Sequence, residues 1–143
     1  MGERLRAVPA WAWLAAIVAG SFALHAALSR HMLAPFIMTD ELIYSELGRS
    51  VAAAGSFEIR DIPISGYGFL YPLLISPSYA LFDSLTDAYA AVKVTNSLAM
   101  SLAAVPTYLI ARRVAGSALA LLAALLAVAL PSLVYTEIGR AHV

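Results

Sequence analysis

Residues 7–29 carry no ionisable side chain except His25. At 1.5 Å per residue, an apolar helix of that length spans the roughly 30 Å hydrocarbon core of a bilayer. No other feature constrains the fold so tightly. Three more apolar stretches follow, at 69–82, 88–111 and 114–135. A soluble domain would need polar surface that this chain lacks. It is 62% hydrophobic and 13% charged, with mean hydropathy +0.81, against about 45–50% apolar and about 25% charged in soluble domains. The expected fold is an all-α integral membrane protein of about four transmembrane helices. The lipid bilayer is then its first partner. Nine Lys and Arg balance nine Asp and Glu, so no basic field points to nucleic acid. Without cysteine there is no disulfide scaffold.

Trp11 and Trp13 stand near the start of the first stretch, where indoles favour the headgroup level. Arg4 and Arg6 precede it; Arg30 and His31 follow. A cleaved signal peptide, with Ala27 at the cut, is the competing reading. Signal cores are only about 7–15 residues long, so the stretch is read as an uncleaved span.

Residues 30–68 differ in character. Asp40, Glu41, Glu46, Glu58 and Asp61 face Arg30, Arg49 and Arg60 there. Residues 40–54 read as a helix, with Thr39 or Asp40 to cap its start and Gly55 to end it. Leu42, Ile43, Leu47, Val51 and Ala54 share one face; Glu41, Ser45 and Arg49 lie opposite. Such a helix suits the membrane interface rather than a crossing. Residues 56–61 read as extended, and Pro63, Gly66 and Gly68 mark turns.

The later spans are punctuated. Tyr71, Pro72, Pro77 and Tyr79 break up 69–82 and predict a kink, whose freed carbonyls need partners in neighbouring helices. Residues 83–87 read as a polar turn. Lys93, Asn96 and Pro106 interrupt 88–111, which ends at Arg112 and Arg113. The last span has an Ala/Leu block at 118–130 and Pro131 near its end. The final residues, Glu137-Ile138-Gly139-Arg140-Ala141-His142-Val143, are what GAG ATC GGA AGA GCA CAC GTC TGA encodes. From its second base that string resembles a common short-read sequencing adapter. Residues 137–143 are therefore expected to be adapter-encoded, the natural frame continuing past Thr136.

Few constellations carry chemistry. Asp40-Glu41 opens the amphipathic helix just after a span, and a carboxylate there could take the proton of an acceptor hydroxyl. The alternative leaves Asp40 as a cap and Glu41 in water. Lys93 and Asn96 lie one turn apart; an ionisable group in a span suggests function, while Lys93 is near enough the end to snorkel. His25 reads as an interface histidine. Three scattered histidines give no metal spacing, and there is no phosphate loop, dinucleotide fingerprint or nucleophile elbow. No cofactor is identified. Arg49 and Arg60 suit a phosphate, or pair with Glu46, Glu58 or Asp61. Tyr44, Tyr67, Tyr71 and Tyr79 suit the membrane interface, with sugar stacking as a second possibility.

Taken in order, the pieces resemble the N-terminal part of a polytopic glycosyltransferase of the GT-C superfamily, in its protein-mannosyltransferase and aminoarabinose-transferase group. One span is followed by Thr39-Asp40-Glu41, then a helix with Tyr44, Leu47 and Gly48 that stops at Gly55. Gly68-Phe69-Leu70-Tyr71-Pro72 leads into a span ending Leu81-Phe82. The next span ends Tyr108-Leu109-Ile110-Ala111-Arg112-Arg113, and the last Pro131-Ser132-Leu133-Val134-Tyr135. The likeness covers residues 8–136. It implies a polyprenyl-phosphate-linked sugar as donor, Asp40 as general base with Glu41 beside it, and transfer with inversion. Arg49, Arg60 and Tyr71 are the candidate substrate contacts; the acceptor stays open. Relatives often carry a Lys-Pro-Pro-like approach to span two, whereas this chain has Leu70-Tyr71-Pro72, so the donor phosphate has no assigned contact. The family also needs more spans, so this chain by itself is expected to be inactive.

The family arrangement puts the N-terminus in the cytoplasm of a bacterial plasma membrane and residues 30–68 outside. Arg4 and Arg6 agree; Arg112 and Arg113 would then face outside, against the positive-inside tendency. A re-entrant second span removes that conflict. Two other readings compete. A transporter or lipid-carrier flippase subunit would line its path with Lys93 and the kinked spans. A small structural subunit would dock a partner through the amphipathic segment.

Overall fold

The computed structural model describes residues 8–30, 39–60, 62–64 and 66–140. Arg4, Arg6, His31, Asp61 and residues 141–143 of the expected tail lie outside the described residues, as does the side chain of Thr39. The helices are α1 (Ala10–Ser29), α2 (Thr39–Ala54), α3 (Leu70–Leu81), α4 (Leu85–Leu102), α5 (Ala104–Ala111) and α6 (Ser117–Arg140). Between α2 and α3 lies a two-stranded antiparallel ribbon, β1 (Glu58–Ile59) and β2 (Ile62–Pro63). The chain is 78% helical, so the all-α expectation holds. Two stretches are long and apolar enough to cross a membrane, Ala10–Ser29 and Leu85–Ala111. Ser117–Leu130 is a shorter apolar helix.

The contacts divide the chain into two units: residues 1–27 with 96–143, and residues 28–95. In the first, Ala104, Tyr108, Ala120, Ala124 and Val128 form the core, with Leu14, Ile17 and Val18 against it. Fully buried alanines on α5 and α6 let two backbones approach closely, as small residues do between apolar helices. A polar rung crosses the same unit. Ser101 Oγ lies 2.7 Å from Ser97 O and 3.1 Å from Ser21 Oγ, which is 3.1 Å from His25 Nδ1. His25 is buried among these serines, and its Nε2 has no partner among the described residues.

In the second unit, α2 packs along α3. Asp40 and Glu41 in the first turn of α2 complement its dipole. Gly55 ends it at φ +69°, its N–H donating to Val51 O at 3.0 Å, the C-terminal role expected of glycine. The two helices meet at Gly48. A Cβ there would lie 2.9 Å from Ile75 Cγ1 and 3.2 Å from Tyr79 Cε2. Leu47 and Ile75 fill the contact and are buried. The face of α2 is therefore rotated from the expected one. Leu42 is exposed, while Ser45 and Glu41, expected on the side opposite the apolar face, turn to α3 and α4. Gly48 lets α3 come close on that side, and Ser45 and Glu41 are hydrogen-bonded to tyrosines there.

Several boundaries differ from expectation for local reasons. Residues 83–87 are not only a turn, because α4 begins at Leu85. Ser84 Oγ accepts the Asp87 N–H at 3.5 Å, in the Ser-x-x-Asp pattern that starts helices. Pro106 interrupts the third stretch by a break at Ala103, because its ring excludes the Leu102 carbonyl from the ladder. Pro77 sits inside α3 without ending it. The carbonyl it would have engaged, Leu73 O, accepts Ser76 Oγ at 3.0 Å, so the partner comes from the same helix rather than a neighbouring one. Residues 114–116 precede α6 rather than belong to it, and α6 runs on past residue 135.

Candidate functional site

The first turn of α2 sets the candidate site. Successive helical residues point about 100° apart, so Asp40 and Glu41 face different surroundings. Asp40 is exposed and has no hydrogen bond or ion pair among the described residues. Glu41 is half-buried, and its Oε1 accepts the Tyr89 hydroxyl at 3.0 Å. One turn along α2, Ser45 Oγ and Tyr79 Oη are 2.6 Å apart. Two tyrosines, from α3 and α4, thus hold one side of α2. A hydrogen bond to a charged group contributes about 1.5–3 kcal/mol.

Lys93 extends this arrangement. Its Nζ donates to Ser29 O at 3.0 Å and stands 5.2 Å from the centre of the Tyr89 ring. The ammonium meets the carbonyl of the last residue of α1, where a cation is stabilised by the helix dipole. The order is Ser29 carbonyl, Lys93 ammonium, Tyr89 ring and hydroxyl, Glu41 carboxylate. Tyr89 is the residue that reading the sequence missed. Its one local signal is the four-residue spacing to Lys93, which puts both on one helix face; Glu41 lies 48 positions away.

The remaining candidates scatter. Arg49 Nη1 is 2.8 Å from Glu46 Oε1, three residues back on the exposed side of α2. Such an exposed pair contributes about 0–1 kcal/mol. Arg60 sits in the turn of the ribbon at φ +53°, a left-handed conformation rare for its type. It lines an open groove of about 370 Å³ with Leu42, Ile43, Glu46, Ile59 and Ile62. Arg60 has no ion pair among the described residues. Tyr71 packs edge-to-face with Tyr44 at 5.2 Å between centroids, and Tyr67 does the same at 5.7 Å. The structure thus brings Glu41, Tyr89 and Lys93 together, and separately Tyr44, Tyr67 and Tyr71. Among the described residues no three His, Asp or Glu stand close enough to hold a metal ion. No protein-family model, curated protein or solved structure matches the chain.

Proposed function

We propose that this chain is the N-terminal part of a multi-span glycosyltransferase of the GT-C type. It takes a sugar from a polyprenyl-phosphate-linked donor to an acceptor hydroxyl at the outer face of a membrane. The observation that supports this most is the unequal carboxylate pair on α2, with Asp40 open and Glu41 held by Tyr89. In the proposed reaction Asp40 accepts the acceptor's hydroxyl proton while the oxygen attacks the anomeric carbon. The bond to the phosphate oxygen breaks with its electron pair, and polyprenyl phosphate leaves. Attack opposite the leaving group inverts the centre. Arg60, which lines the groove and has no ion pair among the described residues, is available to an anionic group of the substrate; Arg49 is engaged by Glu46.

The proposed topology has four membrane-entering segments: α1, α3, the α4–α5 stretch and α6. The twelve residues of α3 rise only about 18 Å, short of the roughly 30 Å core. This favours a re-entrant α3 that returns to the outer side. Residues 30–68 then stay outside, and Arg112 and Arg113 fall in the cytoplasm, as the positive-inside tendency prefers.

The first test is to read the source DNA past the codon for Thr136 with long reads. A frame that continues through further hydrophobic spans supplies the full-length protein. In it, Asp40→Asn should lower transfer about 10²–10⁴-fold, the range of a lost general base, with membrane insertion intact. Normal transfer in that variant removes Asp40 from the base role. A natural stop after Val143 favours a small membrane subunit instead.

A further inference from the structure

We infer that Tyr89 is the positioning residue of the carboxylate pair: it engages Glu41, and so leaves Asp40 as the carboxylate open to an incoming hydroxyl. The inference rests on the transferase reading for what Asp40 does, but not for the asymmetry itself. The two carboxylates are neighbours in sequence, yet only one can face α4, because the helix turns about 100° between them. The Tyr89 hydroxyl meets Glu41 Oε1 at 3.0 Å. The ring that carries this hydroxyl is itself braced. Lys93, one turn further along α4, stands 5.2 Å from the ring centre. Its ammonium is anchored on Ser29 O at 3.0 Å. The phenol thus has a cation over its ring and a carboxylate at its hydroxyl. One oxygen of Glu41 is thereby occupied, and the side chain is half-buried. Asp40 is exposed and has no hydrogen bond among the described residues.

The chemistry that separates the two sites is carboxyl labelling. A carboxyl adds across a water-soluble carbodiimide to give an O-acylisourea. Glycine ethyl ester then displaces the urea and leaves an amide, which peptide mass spectrometry assigns to Asp40 or Glu41. The 143-residue chain in lipid nanodiscs is sufficient. Asp40 should label about tenfold faster than Glu41, the scale of one hydrogen bond to a charged group. Tyr89→Phe keeps the ring and removes the donor; it should raise Glu41 labelling several-fold toward the Asp40 rate and leave Asp40 unchanged. Ser45→Ala breaks the other hydrogen bond on α2, to Tyr79, and should change neither rate.

Equal labelling of the two carboxylates in the wild type overturns the inference, and so does a Tyr89→Phe variant that labels like wild type. A rise of Glu41 in Ser45→Ala equal to that in Tyr89→Phe also overturns it, because general loosening of α2 would then be the cause. If Tyr89→Phe does not fold, Lys93→Met decides. Loss of the brace should raise Glu41 labelling several-fold, and an unchanged rate overturns the inference. The two readings fail separately. Release of Glu41 with no sugar transfer by the full-length wild type removes the transferase reading and keeps the positioning role; no release removes the positioning role whatever the transfer assay gives.

Discussion

Gly48 carries a close contact between α2 and α3. A methyl group there would meet Ile75 Cγ1 at 2.9 Å and Cδ1 at 3.0 Å, with Tyr79 Cε2 at 3.2 Å. Ile75 is 1% exposed, so it has little room to yield. Replacing glycine in a helix by alanine normally stabilises by about 1 kcal/mol, which overpacking of about 1–3 kcal/mol offsets or exceeds. Gly48→Val adds branching to the clash. It should cost about 2 kcal/mol in a denaturant titration in micelles, and Ile75→Ala in the same chain should recover part of that. Additive losses would show that the two side chains do not meet. This contact was not legible in the sequence, where Gly48 was one position within a helical motif. Gly55 was legible, because a left-handed residue just past a helix end is glycine's commonest special use. Asp40 and Glu41 were legible as a pair at a helix start. Their inequality was not, since Tyr89 reaches Glu41 across 48 positions.

At the level of elements, composition located the helices well and their ends less well. The apolar stretch read from residue 88 begins as helix at Leu85, because a polar capping pattern belongs to the helix it starts. The ribbon was read only as an extended segment. Strands of two residues are too short to show alternation, and Pro63 argues against a strand except where its missing donor is not needed. In α3 a proline lies inside a helix that runs on, and Ser76 supplies a hydroxyl for the freed Leu73 carbonyl. The expected cost follows from the surroundings. Under the proposed topology, which puts α3 in lipid, Ser76→Ala should destabilise the protein by about 1–3 kcal/mol, because an acceptor is left without a donor. In a Pro77→Ala background the backbone N–H returns and the same change should cost about nothing. Unfolding followed by circular dichroism in nanodiscs gives both values. Equal costs in the two backgrounds would mean that the hydroxyl does not serve that carbonyl.

For the whole molecule, the testable matter is which side each segment faces. The chain has no cysteine, so single introduced thiols report cleanly. Under the proposed topology, Ala53→Cys on α2 should react with a membrane-impermeant maleimide added outside intact cells. Val114→Cys, in the turn before α6, should react only after permeabilisation. The reverse pattern would place the carboxylate pair in the cytoplasm and end the outer-face assignment. The apolar runs made the helical class plain without any structure. The pairing across distance was hidden, since it rests on single side chains in otherwise unremarkable stretches. That distance also has a history in time. Tyr89 and Lys93 are made 48 and 64 residues after the groups they hold, Glu41 and Ser29. At about 5–20 residues per second, a ribosome needs about 2–13 s to supply them. For those seconds the first helix and its acidic neighbour leave the ribosome without their clasp, and the site takes shape only when the third apolar stretch emerges.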